Sequence, residues 1–228
     1  MKKPIFYTEL SYILGILILA FGTALVTLAD FGLSMVVAPA YLIHLKLSQY
    51  WSFITFGMAE YLFQALLLVI LSVILKKFKI SYLFSFVTAV LYGLALDGCI
   101  LLTSGISSTD FRFRIALFVI GTVLCTFAIS LFFHTYISPE AYEVFVKDLA
   151  QAKGFDIGKT KIIYDFSSCA LSIIMSFCFF GLFQFEGINV GTIVMVCVNG
   201  ALIGFFSKKL DKHFEFKDAL PLRKYFER

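Results

Sequence analysis

Long apolar runs alternate with short polar breaks along the chain, and six of them, 10–29, 52–75, 81–102, 113–133, 162–183 and 189–207, have the length of a membrane-crossing helix. A helix rises about 1.5 Å per residue, so about 20 apolar residues cross the roughly 30 Å of hydrocarbon in a bilayer. The sixth run is short, and its helix is expected to be partly broken. Between the fourth and fifth runs the pattern becomes that of an amphipathic helix. Ser138 is placed to cap a helix opening at Pro139. Ala141, Tyr142, Phe145 and Leu149 then share one apolar face against Glu140, Glu143, Lys147 and Asp148, and Gly154 closes it. Such a helix either lies at the membrane surface or folds back into the bundle. Its counterpart at 39–47 is more apolar. After residue 207, charged residues mix with Phe214, Phe216, Leu220, Leu222 and Phe226, predicting a short interfacial helix against anionic headgroups.

Composition agrees with a membrane protein. Hydrophobic residues make up 60% of the 228 and aromatic residues 18%, against about 45–50% apolar usage in soluble domains. The fold class expected is therefore an all-α membrane protein, a single domain of six transmembrane helices with no separate soluble unit. The net charge of +4 is modest and does not imply nucleic acid. With the N-terminus inside, every Lys and Arg but Lys46, Arg112 and Arg114 falls on the inner side. That bias predicts a protein of the cell's inner membrane with both termini cytoplasmic. Lys2 and Lys3 precede an apolar run without a small-residue cleavage pattern, so the first run is expected to remain as a helix. The five cysteines lie inside apolar runs with no C-x-x-C pair, and no cofactor or metal is expected.

The runs also repeat. Residues 22–29 read G-T-A-L-V-T-L-A and 121–128 read G-T-V-L-C-T-F-A, identical at five of eight places. Each stretch is followed by a break and a proline with a tyrosine close behind, Pro39 with Tyr41 and Pro139 with Tyr142. Further on, Glu60-Tyr61 aligns with Asp165-Phe166, and Ala65-Leu66 with Ala170-Leu171. Two copies, about 10–103 and 112–207, hold three spans each, so the second is expected to be inverted relative to the first. Inverted repeats build many secondary transporters, with the binding site at broken segments near the midplane. Those segments are predicted to be re-entrant after the first helix of each repeat.

Carboxylates within spans are costly, by about 2.5–3.5 kcal/mol at a helix centre, and four need an explanation: Asp30, Glu60, Asp97 and Asp165. Glu60 and Asp165 are expected to converge towards the bundle centre, either as a proton or cation site or as packing contacts. Gln64 falls one turn after Glu60 on the same face, with Tyr61 nearby, while Tyr164, Ser168 and Cys169 flank Asp165. Asp97 is expected to snorkel to the outer headgroups. Asp30 either caps the helix that follows it or stands at the mouth of the site. Asn199 with Gly200 and Gly204 forms a G-x-x-x-G spacing that predicts a close helix contact, and Thr192 after Gly191 allows either role. His44 and His134 are expected at the interfaces.

Residues 30–41 (D-F-G-L-S-M-V-V-A-P-A-Y), 56–61 (F-G-M-A-E-Y) with Gln64, and 187–192 (G-I-N-V-G-T) resemble the YczE/YyaS/YitT-like family of bacterial membrane proteins, over roughly 10–210. The resemblance implies a bundle of five or six spans and a transporter group.

Taken together, the expected function is secondary transport of a small organic solute. The candidate site comprises Asp30, Ser34, Pro39, Tyr41, Glu60, Tyr61, Gln64, Ser138, Tyr142, Tyr164, Asp165, Ser168 and Asn199. Neutral amphipathic or aromatic solutes suit it better than highly charged ones, since no Lys or Arg is placed in the middle of a span to pair an anion; the N-terminus of the short helix after Pro139 leaves a carboxylate as the alternative. A second copy of the chain is an open partner. The alternative is a non-transporting membrane scaffold. No enzyme is expected: Gly158-Lys159-Thr160 lacks the spacing of a phosphate-binding loop, and neither G-x-S-x-G nor H-E-x-x-H occurs.

Overall fold

A computed structural model describes residues 3–106, 110–155, 157–182, 186–221 and 223. Among these, the chain forms β1 (Ile5–Tyr7), α1 (Thr8–Ala29), α2 (Ala38–Leu47), α3 (Phe56–Leu75), α4 (Ile80–Thr103), α5 (Phe111–Phe132), α6 (Ala141–Lys153), α7 (Ile157–Phe180), α8 (Val190–His213) and β2 (Glu215–Lys217). All but α2 and α6 of these helices are long and apolar enough to cross a membrane. The chain is a multi-pass helical membrane protein.

Three local expectations change. The sixth span is an unbroken helix of 24 residues, opened by a reciprocal cap between Asn189 and Thr192. Thr192 therefore serves helix initiation. The expected end of the fifth span, residue 183, lies outside the described residues. The amphipathic helix begins at Ala141, with Glu140 rather than Ser138 at its N-cap position and no side-chain cap. Ser138 is occupied otherwise, its carbonyl accepting a hydrogen bond from the Thr88 hydroxyl at 2.9 Å.

Of the interfacial helix expected in the tail, Arg223 is described and is helical; the earlier part of the tail is built otherwise. There α8 continues to His213, and β2 pairs in parallel with β1, Phe6 opposite Phe216; residues 222 and 224–228 lie outside the described residues. Glu9 fastens this clasp by accepting the Ala219 and Leu220 N–H groups, both at 2.9 Å, and the Tyr136 hydroxyl at 2.8 Å. Beside it Asp218 accepts the Thr8 hydroxyl at 2.9 Å, and the bond from Arg223 holds its carboxyl below the usual range. Both strands thus sit at one end of the bundle, called the terminal end below.

Two close crossings set the bundle. The α1 and α5 helices are antiparallel: Ser11 donates to the Leu131 carbonyl at 3.1 Å near one end, and Arg114 to the Ala29 carbonyl at 2.9 Å near the other. Midway, the opening glycines of the repeated motif meet. A Cβ on Gly22 would stand 2.9 Å from the Gly121 carbonyl oxygen, and one on Gly121 would stand 2.8 Å from that of Gly22. Only glycine lets the backbones approach this far. The α3 and α4 helices cross similarly, with Gly57 against Gly93.

Asp97 belongs to this second crossing and does not snorkel. Its carboxylate accepts the Gly57 N–H at 2.7 Å and the Thr55 hydroxyl at 2.5 Å, while Thr55 in turn accepts the Met58 N–H at 3.1 Å. It therefore satisfies orphan donors at the start of α3 from a neighbouring helix. Asp97→Ala is expected to destabilise the protein by about 1–2 kcal/mol, the value of a lost N-terminal cap, as read from thermal unfolding in detergent. A melting point equal to that of the parent would contradict this role.

The remaining helices assemble around these pairs. The α4 helix packs on α1 and α8 on α5, while α2 rests on α3 and α7, and α6 on α7, α3 and α4. Among the described residues α7 and α8 do not pack extensively on each other. A methyl group added to Gly200 or Gly204 would meet no heavy atom within 4 Å, so the G-x-x-x-G spacing makes no close contact among the described residues.

Candidate functional site

The two short helices start inside the bundle and leave it at opposite ends. From α6, Asp148 reaches the terminal end, accepting the Tyr82 hydroxyl and pairing with Lys79, each at 2.7 Å. Its first residue, Ala141, donates its N–H to Gln64 near the middle of α3 at 3.0 Å. Of the two placements open to this helix, it is folded back into the bundle. The α2 helix runs the other way: Lys46 near its end donates to the Phe179 carbonyl at the end of α7, 3.1 Å away. His44 bonds the Ile54 carbonyl at 2.9 Å and stacks on Phe56.

Irregular backbone inside a membrane bundle is tolerated only where its polar groups find partners. Ahead of α6 the hydroxyls of α4 provide them. Ser85 donates to the Pro139 carbonyl at 2.7 Å and Thr88 to that of Ser138. Ahead of α2, the Leu33 N–H donates to the Gly187 carbonyl at 2.9 Å, and the Phe31 carbonyl accepts the Gly191 N–H at 2.8 Å. The backbone of both breaks is thereby hydrogen-bonded to neighbouring segments.

Between the two breaks lies a cavity of about 60 Å³, room for a few waters or a small solute. Ser34 and Val37 line it from the α2 side, and Glu140, Tyr142 and Glu143 from the α6 side. Leu19, Thr23 and Val26 of α1, Tyr92 of α4, Cys125, Ile129 and Phe132 of α5, and Met195 and Asn199 of α8 complete it. The wall is mostly apolar, with its two carboxylates at the start of α6.

Behind that wall is a buried carboxylate network. Glu60 is fully buried, and the Tyr142 hydroxyl donates to its Oε1 at 2.7 Å. The Gln64 amide bridges Glu60 Oε1 and Glu140 Oε2, both at 3.4 Å, while its own oxygen accepts the Ala141 N–H. Among the described residues, Glu60 Oε2 and Glu140 Oε1 are buried without a hydrogen-bond partner, as is Asn199 Oδ1. Two carboxylates joined through one amide in a dry interior carry negative charge that a proton or a cation has to balance.

The candidate residues divide accordingly. Ser34, Tyr142 and Asn199 line the cavity, with Glu60 and Gln64 bonded directly to its wall and Ser138 beside it. Pro39 is buried in the first turn of α2. Tyr41 packs on Phe56, ring centroids 5.0 Å apart, and lies against Gly187, while Tyr61 lies against Gly93. Tyr164 packs on Phe145, ring centroids 5.4 Å apart, and the Ser168 carbonyl accepts the Ser172 hydroxyl.

Asp30 and Asp165 each make an ion pair. Asp30 ends α1 in a left-handed conformation, φ 54°, with its exposed side chain paired to Arg114 at 3.0 Å, so it neither caps α2 nor lines the cavity. Asp165 pairs with Lys161 one turn earlier in α7, at 3.0 Å. Among the described residues it makes no hydrogen bond to Glu60, while its charge acts on Glu143 of the cavity wall. The carboxylate joined to Glu60 through Gln64 is Glu140, which periodicity assigns to the polar face of an amphipathic helix. Its signal is present in the sequence: Pro139-Glu140-Ala141-Tyr142 differs from Pro39-Ala40-Tyr41 by this one inserted acid.

Six spans, two short helices folded among them and a small cavity lined from the start of each define a multi-pass membrane protein with an internal cavity. By sequence, residues 6–208 match the family of unknown function DUF6198, and the chain belongs to that family. The match does not name the YczE/YyaS/YitT-like group. No curated protein and no solved structure matches the chain.

Proposed function

We propose that the protein is a secondary transporter of a small organic solute across the bacterial inner membrane, with both termini cytoplasmic and the solute held in the cavity between α2 and α6. The observation that carries this reading is the cavity's position, at the inner ends of two short helices that leave the bundle at opposite ends. A site placed there is exposed to one side or the other according to which short helix has moved.

An inverted repeat supports the reading. In the two copies α1 answers to α5, α2 to α6, α3 to α7 and α4 to α8, and the contacts exchange accordingly. The α2 helix rests on α3 and α7 as α6 rests on α7 and α3, and α1 holds α4 as α5 holds α8. Gly22 and Gly121, equivalent in the two copies, meet each other at the centre. The sequence resemblance to YczE/YyaS/YitT-like proteins points the same way. Protons are the coupling ion in this proposal, carried on Glu60, whose Oε2 has no hydrogen-bond partner.

The test uses the full chain in proteoliposomes. A metabolite library is screened for solutes that raise the melting point, and those solutes are then assayed for uptake with and without an imposed pH gradient. Uptake driven by the gradient and lost in Glu60→Gln is the expected result. If no solute stabilises the protein and Glu60→Gln behaves as the parent does, the transporter reading fails and a membrane scaffold takes its place.

A further inference from the structure

The cavity's wall is one-sided in its chemistry. It carries the carboxylates of Glu140 and Glu143 and the amide of Asn199, and no Lys or Arg among its described lining residues. The basic group nearest to Glu143 in α7, Lys161, is engaged in the ion pair with Asp165. Glu60 adds a further carboxylate through Gln64. The start of α6 does not offset this for an anion, because the Ala141 N–H is already bonded to Gln64 and Glu143 occupies the first turn.

Two acceptors on different helices also await a donor. Glu140 is 5% exposed, yet its Oε1 has no partner, and the same holds for Asn199 Oδ1 on α8. A lone proton on Glu140 supplies a single O–H donor. A bare metal ion finds too few strong ligands, since no three His, Cys, Asp or Glu side chains gather among the described residues. A group carrying positive charge and several N–H donors satisfies both oxygens and balances the charge. Tyr92, Tyr142 and Phe132, also on the wall, present aromatic rings that suit a cation.

We infer that the cavity binds a small ammonium cation, ammonium itself or a short primary amine in its protonated form, with N–H donors to Glu140 and Asn199. This rests on the reading of the cavity as the solute site and names the solute's chemical class. The volume of about 60 Å³ restricts the amine to a few heavy atoms. Gln64 holds the opposite oxygen of Glu140 and so keeps Oε1 facing the solute.

The test is calorimetric titration of the purified full chain in detergent with methylammonium, using tetramethylammonium and sodium at equal ionic strength as controls. Saturable binding of methylammonium but of neither control is expected. Glu140→Gln is expected to weaken it by about tenfold or more, the loss of one charge-assisted hydrogen bond. Asn199→Leu, remote from the Gln64 network, weakens it as well and guards against a folding defect in the first variant. Absence of methylammonium binding, equal binding of tetramethylammonium or sodium, or unchanged affinity in both variants would overturn the inference. Binding without uptake in proteoliposomes sinks the transporter reading and leaves this site standing. Uptake of a neutral solute without amine binding does the reverse.

Discussion

Leucine in place of Gln64 is expected to destabilise the bundle by about 3–5 kcal/mol, the range for removing one member of a buried charged network. Among the described residues, Gln64 alone touches both carboxylates and the first N–H of α6, with contacts of 3.4, 3.4 and 3.0 Å. Its loss strands Glu140 and a backbone donor at once and leaves Glu60 with Tyr142 alone. Leucine has nearly the same volume, so the deficit is one of polarity and not of space. Thermal unfolding in detergent measures it, and hydrogen exchange at Ala141 locates it at the start of α6. A melting point close to the parent's would mean that the carboxylates are held by something other than Gln64.

Gly57→Ala is the second large effect expected, about 3 kcal/mol or more, at or beyond the upper end of the range for overpacking a well-filled contact. The added methyl would overlap the Gly93 carbonyl oxygen, which is backbone and has no rotamer to yield. Gly98→Ala, next to Asp97 on the same span, meets nothing within 4 Å and is the control. Its own stability is expected to stay close to the parent's, since the new methyl fills open space. Unfolding curves of the two variants side by side decide the matter; if they coincide, the α3–α4 crossing is looser than its geometry indicates.

Much of the architecture is legible from hydrophobic patterning because a bilayer imposes one length scale on every crossing. The six spans, the short helix after each break and the packing role of the Gly-Thr motifs all follow from local signals. What is not legible depends on tertiary partners. Glu140 falls on the polar face of an amphipathic helix, and in water that face points outward; here it points to Gln64 and Glu60, because a helix folded into the bundle has neighbours on both sides. Asp165 finds Lys161 one turn away, and a local ion pair needs no central site. The pattern places Asp97 correctly along its helix but not around it, since the α3 donors that recruit it are supplied by another span. In the tail, the pairing of β2 with β1 joins residues more than two hundred apart, as in Phe6 with Phe216, and no local pattern announces such a partner.

That last pairing also orders events during synthesis. The β1 strand finds its mate only after all six spans have been made, since Glu9 waits for the backbone of Ala219 and Leu220, 210 and 211 residues later. Until then the opening segment is an unpaired edge at the membrane surface. Closing the clasp therefore marks completion of the bundle: a ribosome that stops short of β2 leaves the opening strand without its mate.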